Sequence, residues 1–266
     1  MYQTTYHRAS SVADAVKLQK AGEDAKFLSG GMTLIPAMKT RLAAPSDLVD
    51  LRHVDELKGI TVSGRSIRIG AGMTHAEVAA NAELARACPA IADMAAHIGD
   101  PHVRHMGTIG GSVANNDPAA DYPAALVAMG ATIVTDQREI AAEDFFTGLF
   151  ETALNDDEIV TAVTWEAPEK CGYAKFRNPA SRYAMTGVFV AKTGDGVKVA
   201  VTGAGDDGVF RSTEIEAALS KSFDASALDG MTVPSDNLMT DMHASADYRA
   251  NLIVVMARRA VAKANG

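Results

Sequence analysis

The chain contains a pair of glycines at the point where a predicted strand meets a predicted helix. The sequence predicts a short strand over Lys26–Ser29, a turn at Gly30–Gly31, a helix over Met32–Leu42 and a further strand over Leu48–Leu51. A strand, a helix and a second strand within about 25 residues are typical of a βαβ unit. We therefore interpret residues 1–55 as a small α/β subdomain.

The pattern after residue 55 is typical of short helices and hairpin strands. Ile60–Ile69 alternates between apolar and polar residues around a Ser-Gly turn and predicts a β-hairpin. Thr74 and Glu77 have the spacing of a capping box and predict a helix that continues to Cys88. Asp100–Asp121 is long, polar and rich in glycine, and we expect an ordered loop of the kind that carries function. The other predicted elements of this second α/β subdomain, residues 56–168, are helices after Pro89 and Tyr122 and strands at Ala131–Val134 and Glu158–Trp165.

Residues 169–266 combine strands with helices and predict a third unit of the α+β type. The three strands and two helices are Tyr173–Arg177, Val188–Lys192, Val197–Thr202, Arg211–Lys221 and Ala246–Lys263. The chain as a whole is therefore predicted to be an α+β protein with three units.

Composition and charge exclude several classes of protein. Apolar residues make up 47% of the chain, which is enough for a core. No run of about 18 of them is present that would suit a transmembrane helix. The net charge is −8 without a stripe of lysine or arginine, so we expect no nucleic-acid partner. Two cysteines, Cys88 and Cys171, are too few for an iron–sulfur site or a disulfide framework. Because Met1–Arg8 lacks the apolar core of a signal peptide, we expect a cytoplasmic protein.

Two glycine-rich turns are candidates for binding an anion through backbone N–H groups. At Gly30–Gly31 the bare backbone and the following helix N-terminus favour such a site, and Thr33 adds a hydroxyl. The segment Arg104–Ser112 contains further glycines and hydroxyls. Since 79 residues separate Gly31 from Gly110, we expect the turns to face each other across a cleft and to hold a ligand with an internal pyrophosphate. A glycine pair that serves only chain geometry is the alternative at the first turn.

Other patterns are interpreted as structural or stay open. Gly203–Gly208 has the spacing of a dinucleotide-binding turn, but Asp206 and Asp207 would repel a pyrophosphate, so we predict a plain polar turn. The histidines at positions 97, 102 and 105 have no further ligand at metal-binding spacing, and we predict no metal site. Asp117 is interpreted as a helix cap, whereas Asp121 is either a cap or a group that binds a sugar hydroxyl.

Taken together, seven segments of the chain closely resemble the FAD-binding medium subunits of the molybdenum hydroxylases, the family of carbon monoxide dehydrogenase and the bacterial xanthine dehydrogenases. The matching segments follow the family's order along essentially the whole chain. They are Phe27–Pro36, Arg41–Ala43, Leu48–Arg52, Ile69–His75, Ile98–Gly111, Asp117–Asp121 and Lys175–Tyr183.

The resemblance implies a fold and a set of cofactor contacts. The fold would be a two-subdomain FAD-binding fold of the vanillyl-alcohol-oxidase/PCMH type, followed by a C-terminal α+β domain with an antiparallel sheet. Two loops would hold the FAD pyrophosphate, an acidic residue would bind a sugar or ribityl hydroxyl, and a lysine and a tyrosine would approach the isoalloxazine. The implied FAD-binding residues are Ser29, Gly30, Gly31, Met32, Thr33, Thr108, Ile109, Gly110, Gly111, Ser112, Asp121, Lys175 and Tyr183.

Individual roles follow from the same resemblance. Asp121 would bind the sugar or ribityl hydroxyl, Lys175 would lie near a pyrimidine carbonyl of the flavin, and Ile109 would be an apolar neighbour of the ring. Met32 and Ser112 depart from the commoner family pattern, in which a polar residue and an asparagine are frequent. Both changes remove side-chain hydrogen bonds and leave the backbone donors intact.

The implied function is electron transfer inside a larger enzyme. A large partner subunit would carry the molybdopterin, and a small partner would carry 2Fe-2S clusters that pass electrons to this FAD and on to an external acceptor. The assembly would be a dimer of heterotrimers, and this chain would contain neither a metal site nor a residue that hydroxylates substrate. A self-sufficient flavoprotein oxidase or reductase and a flavin-free scaffold subunit are the alternatives.

Overall fold

The computed structural model describes residues 1–266 as an α+β chain with four β-sheets. The strands are β1 (Thr5–Arg8), β2 (Ala25–Leu28), β3 (Asp47–Asp50), β4 (Ile60–Ser63), β5 (Ser66–Gly70), β6 (Thr132–Thr135), β7 (Glu139–Ala141), β8 (Phe146–Gly148), β9 (Glu151–Thr152), β10 (Val160–Glu166), β11 (Lys170–Arg177), β12 (Ala184–Thr193), β13 (Gly196–Gly205) and β14 (Gly208–Arg211). The helices are α1 (Val12–Ala21), α2 (Leu34–Lys39), α3 (His75–Ala80), α4 (Ala82–Ala87), α5 (Pro89–Ala96), α6 (Pro101–Met106), α7 (Ile109–Asn115), α8 (Tyr122–Met129), α9 (Ala142–Phe145), α10 (Thr213–Lys221) and α11 (Ala246–Ala264). None of these helices is long and apolar enough to cross a membrane.

Three of the sheets define three structural units along the chain. The first is parallel with the order β1-β3-β2, the second is antiparallel with the order β4-β5-β10-β6-β7, and the third is antiparallel with the order β11-β12-β13-β14. The fourth sheet is the small pair β8-β9. The three larger sheets lie within residues 5–50, 60–166 and 170–211. We propose unit boundaries near residues 56 and 169, in the connections between these sheets.

The first unit contains the βαβ crossover that the glycine pair predicts, but its helix is shorter than expected. The predicted helix over Met32–Leu42 is wrong at both ends, because α2 covers only Leu34–Lys39. At its start Thr33 makes no side-chain capping bond, and Gly31 has a φ of +71° that suits a turn. Arg41 is left-handed with a φ of +64°, which ends the helix. Residues 29–33 therefore form an open loop between β2 and α2.

The sequence gives no sign of β1, which pairs in parallel with β3 from Thr5 opposite Asp47. The strand TYHR is mainly exposed and lies at the sheet edge. Its residues therefore show no apolar periodicity that would identify a strand.

The predicted long loop over Asp100–Asp121 is wrong, because most of it is helical. Asp100 Oδ1 accepts a hydrogen bond from the N–H of Val103 at 2.9 Å, and Pro101 occupies the first turn of α6. Thr108 Oγ1 accepts from the N–H of Gly111 at 3.0 Å and caps α7. The glycine content conceals helices that depend on these caps.

The predicted helix from Thr74 to Cys88 is likewise interrupted. The capping box of Thr74 and Glu77 is confirmed at the start of α3. Asn81 then ends α3 with extended backbone angles and caps α4, where its side chain accepts from the N–H of Leu84. The interpretation of Gly203–Gly208 as a polar turn is confirmed, since Asp206 and Asp207 lie between β13 and β14 in a hairpin.

The sheet of the third unit is buried on both faces. Phe189 and Tyr173 pack into the core of the second unit. Val188 and Val190, on the opposite face of β12, pack in a core with α11. Because successive side chains of a strand point to opposite faces, the second and third units are joined by continuous packing. The thiols of Cys88 in the second unit and Cys171 in the third lie 3.5 Å apart at the same boundary.

Truncation of Phe189 to alanine should destabilise both units together. The side chain is fully buried between them, so its removal leaves a cavity and should lower the free energy of unfolding by about 3–5 kcal/mol. The fully exposed Met242 provides the matched control, and Met242→Ala should change the free energy by less than about 0.5 kcal/mol. Chemical denaturation measures both. Equal stability of the two variants would contradict a shared core.

Candidate functional site

A cavity of about 800 Å³ lies where the three units meet. This volume is in the range of sites for small molecules and cofactors. The first unit contributes the β2–α2 loop and residues 42–45, the second contributes the starts of α3 and α7, and the third contributes the turn Ser181–Tyr183 between β11 and β12. A ligand in this cavity would therefore touch all three units.

The two predicted glycine-rich turns meet at the wall of this cavity. The Oγ of Ser29 and the Oγ1 of Thr108 are 2.8 Å apart, within hydrogen-bond distance. A Cβ on Gly30 would lie 2.1 Å from the carbonyl oxygen of Met106. The expectation that the turns face each other across a cleft is therefore wrong. They form one continuous surface, and glycine at position 30 permits the close approach of the two backbones.

Backbone N–H groups of the first turn are available to a ligand. None of the N–H groups of residues 29–33 donates to an acceptor within the protein. The first N–H after this segment that does so belongs to Ile35, which donates to the carbonyl of Gly31 at 3.1 Å. Five consecutive donors beside a cavity suit an anion that carries several oxygen acceptors.

The second turn has its donors occupied. The N–H groups of Ile109 and Gly110 donate to the carbonyl oxygens of Met73 and Ala71 at 3.0 and 2.9 Å. Those of Gly111 and Ser112 donate to Thr108. Two equivalent backbone cradles, as the sequence suggested, are therefore absent. The second turn shapes the cavity wall, whereas the first turn offers free N–H groups to a ligand in the cavity.

Gly110 and Gly111 have different structural reasons to be glycine. A Cβ on Gly110 would lie 2.4 Å from the Cβ of Ala71 and 2.7 Å from its carbonyl oxygen. The packing of α7 against Ala71 therefore requires glycine at position 110. A Cβ on Gly111 would meet only the Oγ1 of Thr108 at 3.0 Å and the Cβ of Ser29 at 3.8 Å. A Cβ on Gly111 would therefore press only on the Thr108 hydroxyl, and bare glycine leaves this part of the cavity wall open.

Asp121 lies at the cavity in a buried cluster with two residues of the third unit. Its Oδ1 accepts a hydrogen bond from the Tyr173 hydroxyl at 2.5 Å. The Nζ of Lys175 lies 2.9 Å from Oδ1 and 3.0 Å from Oδ2. The carboxylate precedes α8 but makes no capping bond, so the cap interpretation is wrong for Asp121. The cluster instead ties β11 to the start of α8.

Charges in this cluster are set by burial and pairing. Burial raises the pKa of Asp121, and the Lys175 ammonium and the Tyr173 hydroxyl oppose that rise. Burial and the Asp121 charge raise the pKa of Tyr173 well above its usual value, so its hydroxyl remains a donor. An ion pair that is almost completely buried keeps a fixed dipole beside the cavity.

Eleven of the thirteen residues predicted from the resemblance line the cavity. The two exceptions are Ile109 and Lys175. The side chain of Ile109 is fully buried in the core of the second unit, because it starts α7 on the face that packs inward. Lys175 lies behind Asp121 and reaches the cavity only through that carboxylate. Tyr183 is half-exposed at the cavity rim.

His75 and Glu158 are two polar residues of the cavity wall that the sequence did not identify as site residues. His75 is buried at the start of α3, where the capping box places it at the first helical position without indicating which way its ring points. Glu158 accepts hydrogen bonds from the Arg138 guanidinium, which lower the pKa of this buried carboxyl to about 2. Glu158 pairs with an arginine 20 residues away in the sequence, and no local motif indicates such a pair.

Comparisons with known proteins agree on one family. A family profile described as "FAD binding domain in molybdopterin dehydrogenase" matches residues 2–165. The chain is 36% identical to the carbon monoxide dehydrogenase medium chain of Afipia carboxidovorans, over 97% of this chain and 96% of that one. It is 34% identical to the nicotine 6-hydroxylase medium subunit of Paenarthrobacter nicotinovorans, over 97% of this chain and 96% of that one. The structure of reconstituted CO dehydrogenase from Oligotropha carboxidovorans matches with a TM-score of 0.87 at 35% identity, over 98% of this chain and 97% of that one.

Replacement of Gly111 by valine should obstruct the cavity without unfolding the chain. The new side chain would project beside Ser29, so we expect FAD affinity to fall by more than about tenfold, or 1.4 kcal/mol. Valine is no worse than glycine in a helix, but its Cβ would press on the Thr108 hydroxyl that caps α7. The free energy of unfolding should therefore fall by at most about 2 kcal/mol. Fluorescence titration with FAD and chemical denaturation measure the two effects.

Gly194 provides the control, since a Cβ there meets nothing within 4 Å. Gly194→Val should bind FAD as the wild type does. Gly110→Val is unsuitable as a test because it would strike the backbone of Ala71. Unchanged affinity in Gly111→Val would remove residues 108–112 from the cofactor site.

Proposed function

Because this chain belongs to the family of FAD-binding medium subunits of the molybdenum hydroxylases, we propose that it passes electrons from 2Fe-2S clusters of a partner subunit to an external acceptor. The chain is an oxidoreductase subunit with FAD as its cofactor. When bound, FAD supplies a centre that exchanges electrons one or two at a time. The observation that carries the proposal is the three-unit cavity with a run of free N–H donors in its wall.

The residues of the cavity fit the diphosphate of FAD. We propose that the N–H groups of residues 29–33 hold it, supported by the hydroxyls of Ser29 and Thr108. Backbone donors supply partial positive charge without a lysine or arginine, which matters in a chain whose net charge is −8. Glycine at position 31 permits the positive φ of this loop, and bare glycine at position 111 leaves room beside Ser29 for a phosphate. Met32 and Ser112 line the same wall.

The opposite part of the cavity suits the sugar alcohol and the flavin. We propose that Asp121 accepts a hydrogen bond from a ribityl or sugar hydroxyl, because its carboxylate borders the cavity and is held in place by Tyr173 and Lys175. Lys175 contributes its positive charge from behind this carboxylate. Tyr183, half-exposed at the rim, would cover one edge of the flavin and exclude water. Ile109 packs in the core of the second unit, where it supports α7 and does not line the cavity.

A subunit role is favoured over a self-sufficient enzyme. The chain is similar over nearly its full length to proteins named as medium chains or medium subunits. All three of its units line the same cavity, which we assign to FAD. We propose that a large molybdopterin-binding subunit and a small 2Fe-2S subunit are its partners, in a dimer of heterotrimers. A flavin-free scaffold is disfavoured, since it would not need a cavity with free donors.

Rapid mixing of the FAD-loaded chain with the separately reduced 2Fe-2S partner tests the proposal. The flavin absorbance band should bleach on mixing, because electrons flow from the clusters to this FAD. The same chain without FAD should leave the partner reduced. Turnover of a small organic substrate by the purified chain and oxygen alone would instead support a self-sufficient enzyme. Binding to the partners without any flavin would support a scaffold.

A further inference from the structure

His75 is deeply buried at the cavity wall, and its ring makes no hydrogen bond within the protein. The residue is 5% exposed, and its ring borders the cavity. Its Nδ1 is buried and has no hydrogen-bond partner within the protein. Buried polar atoms without partners are rare in native structures, because they lose their hydrogen bonds to water. Phenylalanine would fill the same space without burying an unpartnered nitrogen, so packing alone does not explain a histidine here.

The other ring nitrogen lies beside Gly107, the residue before Thr108 in the second turn. Nε2 lies 2.7 Å from the position that a Cβ on Gly107 would take, so glycine at 107 leaves room beside the imidazole. The N–H of His75 donates to the carbonyl of Gly107 at 3.0 Å, which fixes the start of α3 against this segment. Gly107 directly precedes Thr108, whose hydroxyl contacts Ser29. Gly107 also packs against Gly30, since a Cβ on Gly30 would lie 2.7 Å from the Cα of Gly107. Nε2 is therefore the ring nitrogen beside the segment that contacts the loop with free N–H groups.

The protonation state of His75 makes it a neutral donor. Burial, together with the positive charge of Arg104, lowers the pKa of His75 to about 4. The ring is therefore uncharged at neutral pH and carries one proton. No acceptor lies within hydrogen-bond distance of Nδ1, so a proton on that nitrogen would be stranded in the protein interior. The favoured tautomer carries its proton on Nε2, where a ligand can accept it.

We infer that His75 donates a hydrogen bond from Nε2 to a phosphate oxygen of FAD. Phosphate oxygens are acceptors only, and they match a neutral N–H as well as they match the backbone donors of residues 29–33. The inference rests on the proposed function, since it assumes that FAD occupies this cavity. It assigns to His75 a binding role that its position next to a helix cap does not reveal.

The melting temperature without FAD and the affinity for FAD together show whether His75 recognises the cofactor or only packs. The ring of His75 lies 5.5 Å from that of Tyr122, so packing is the competing explanation. If His75 recognises FAD, His75→Phe should keep or raise the melting temperature of the chain without FAD, because an unpartnered nitrogen is removed. The same variant should lower FAD affinity by about tenfold. If His75 only packs, the variant should bind FAD as tightly as the wild type.

Two amide substitutions identify the nitrogen. The side-chain nitrogen of glutamine reaches the place of Nε2, whereas that of asparagine reaches the place of Nδ1. His75→Gln should therefore bind FAD within about threefold of the wild type, and His75→Asn should lose about as much as His75→Phe. Should His75→Phe fail to fold, the comparison of glutamine with asparagine decides alone. Equal binding by both amide variants would overturn the assignment to Nε2.

Fragments of the cofactor identify the group that accepts the hydrogen bond. Calorimetric titration with ADP, which contains the diphosphate, should show the same loss in His75→Phe as titration with FAD. Titration with riboflavin, which has no phosphate, should show none. His243 is exposed, and His243→Phe is the control that should leave all three affinities unchanged.

The possible failures are separable. A wild-type chain that does not bind FAD overturns the proposed function. A wild-type chain that binds FAD while His75→Phe binds it equally well overturns only the role of His75. A loss seen with riboflavin but not with ADP would also overturn the phosphate contact.

Discussion

The contact between the Ser29 and Thr108 hydroxyls joins the first unit, with its parallel sheet, to the second, with its antiparallel sheet, at one point of the cavity wall. Ser29 directly follows β2 of the parallel sheet, and Thr108 caps α7 in the antiparallel unit. Glycine at position 30 lets the two backbones come close enough for this contact. The hydroxyl contact and the packing of Gly30 on Met106 and Gly107 together hold the loop of residues 29–33 against the second turn. The geometry of the proposed diphosphate site therefore depends on this junction.

Much of the fold could be predicted from local patterns that leave a direct trace in sequence. The glycine pair after Phe27-Leu28 and the capping box at Thr74 each express a short-range physical rule, and the crossover and helix start that they predict are present. β1 could not be predicted, because a mainly exposed edge strand needs no apolar alternation. α6 and α7 were missed because two side-chain caps offset a glycine content that is typical of loops.

In the candidate site, too, features set by neighbouring residues could be predicted, whereas those set by contacts between distant segments could not. The two turns, and a shared ligand with an internal pyrophosphate, could be predicted from glycines and hydroxyls, and the family resemblance identified that ligand as FAD. Which turn keeps free donors could not be found this way, because the N–H groups of Ile109 and Gly110 are occupied by carbonyls of a distant segment, Ala71–Met73. The orientation of His75 depends on packing between α3 and residue 107, and it likewise lacks a sequence signal. Tertiary hydrogen bonds therefore decide which of two similar turns can bind an anion.

Amide hydrogen exchange of the full chain with and without FAD tests the central claim most directly. The account predicts that exchange of the N–H groups of residues 29–33 slows strongly when FAD binds, because these groups have no acceptor in the protein alone. The N–H groups of Ile109 and Gly110, which already donate to backbone carbonyls, should change little. FAD binding that protects residues 109–112 and leaves residues 29–33 unchanged would contradict the account.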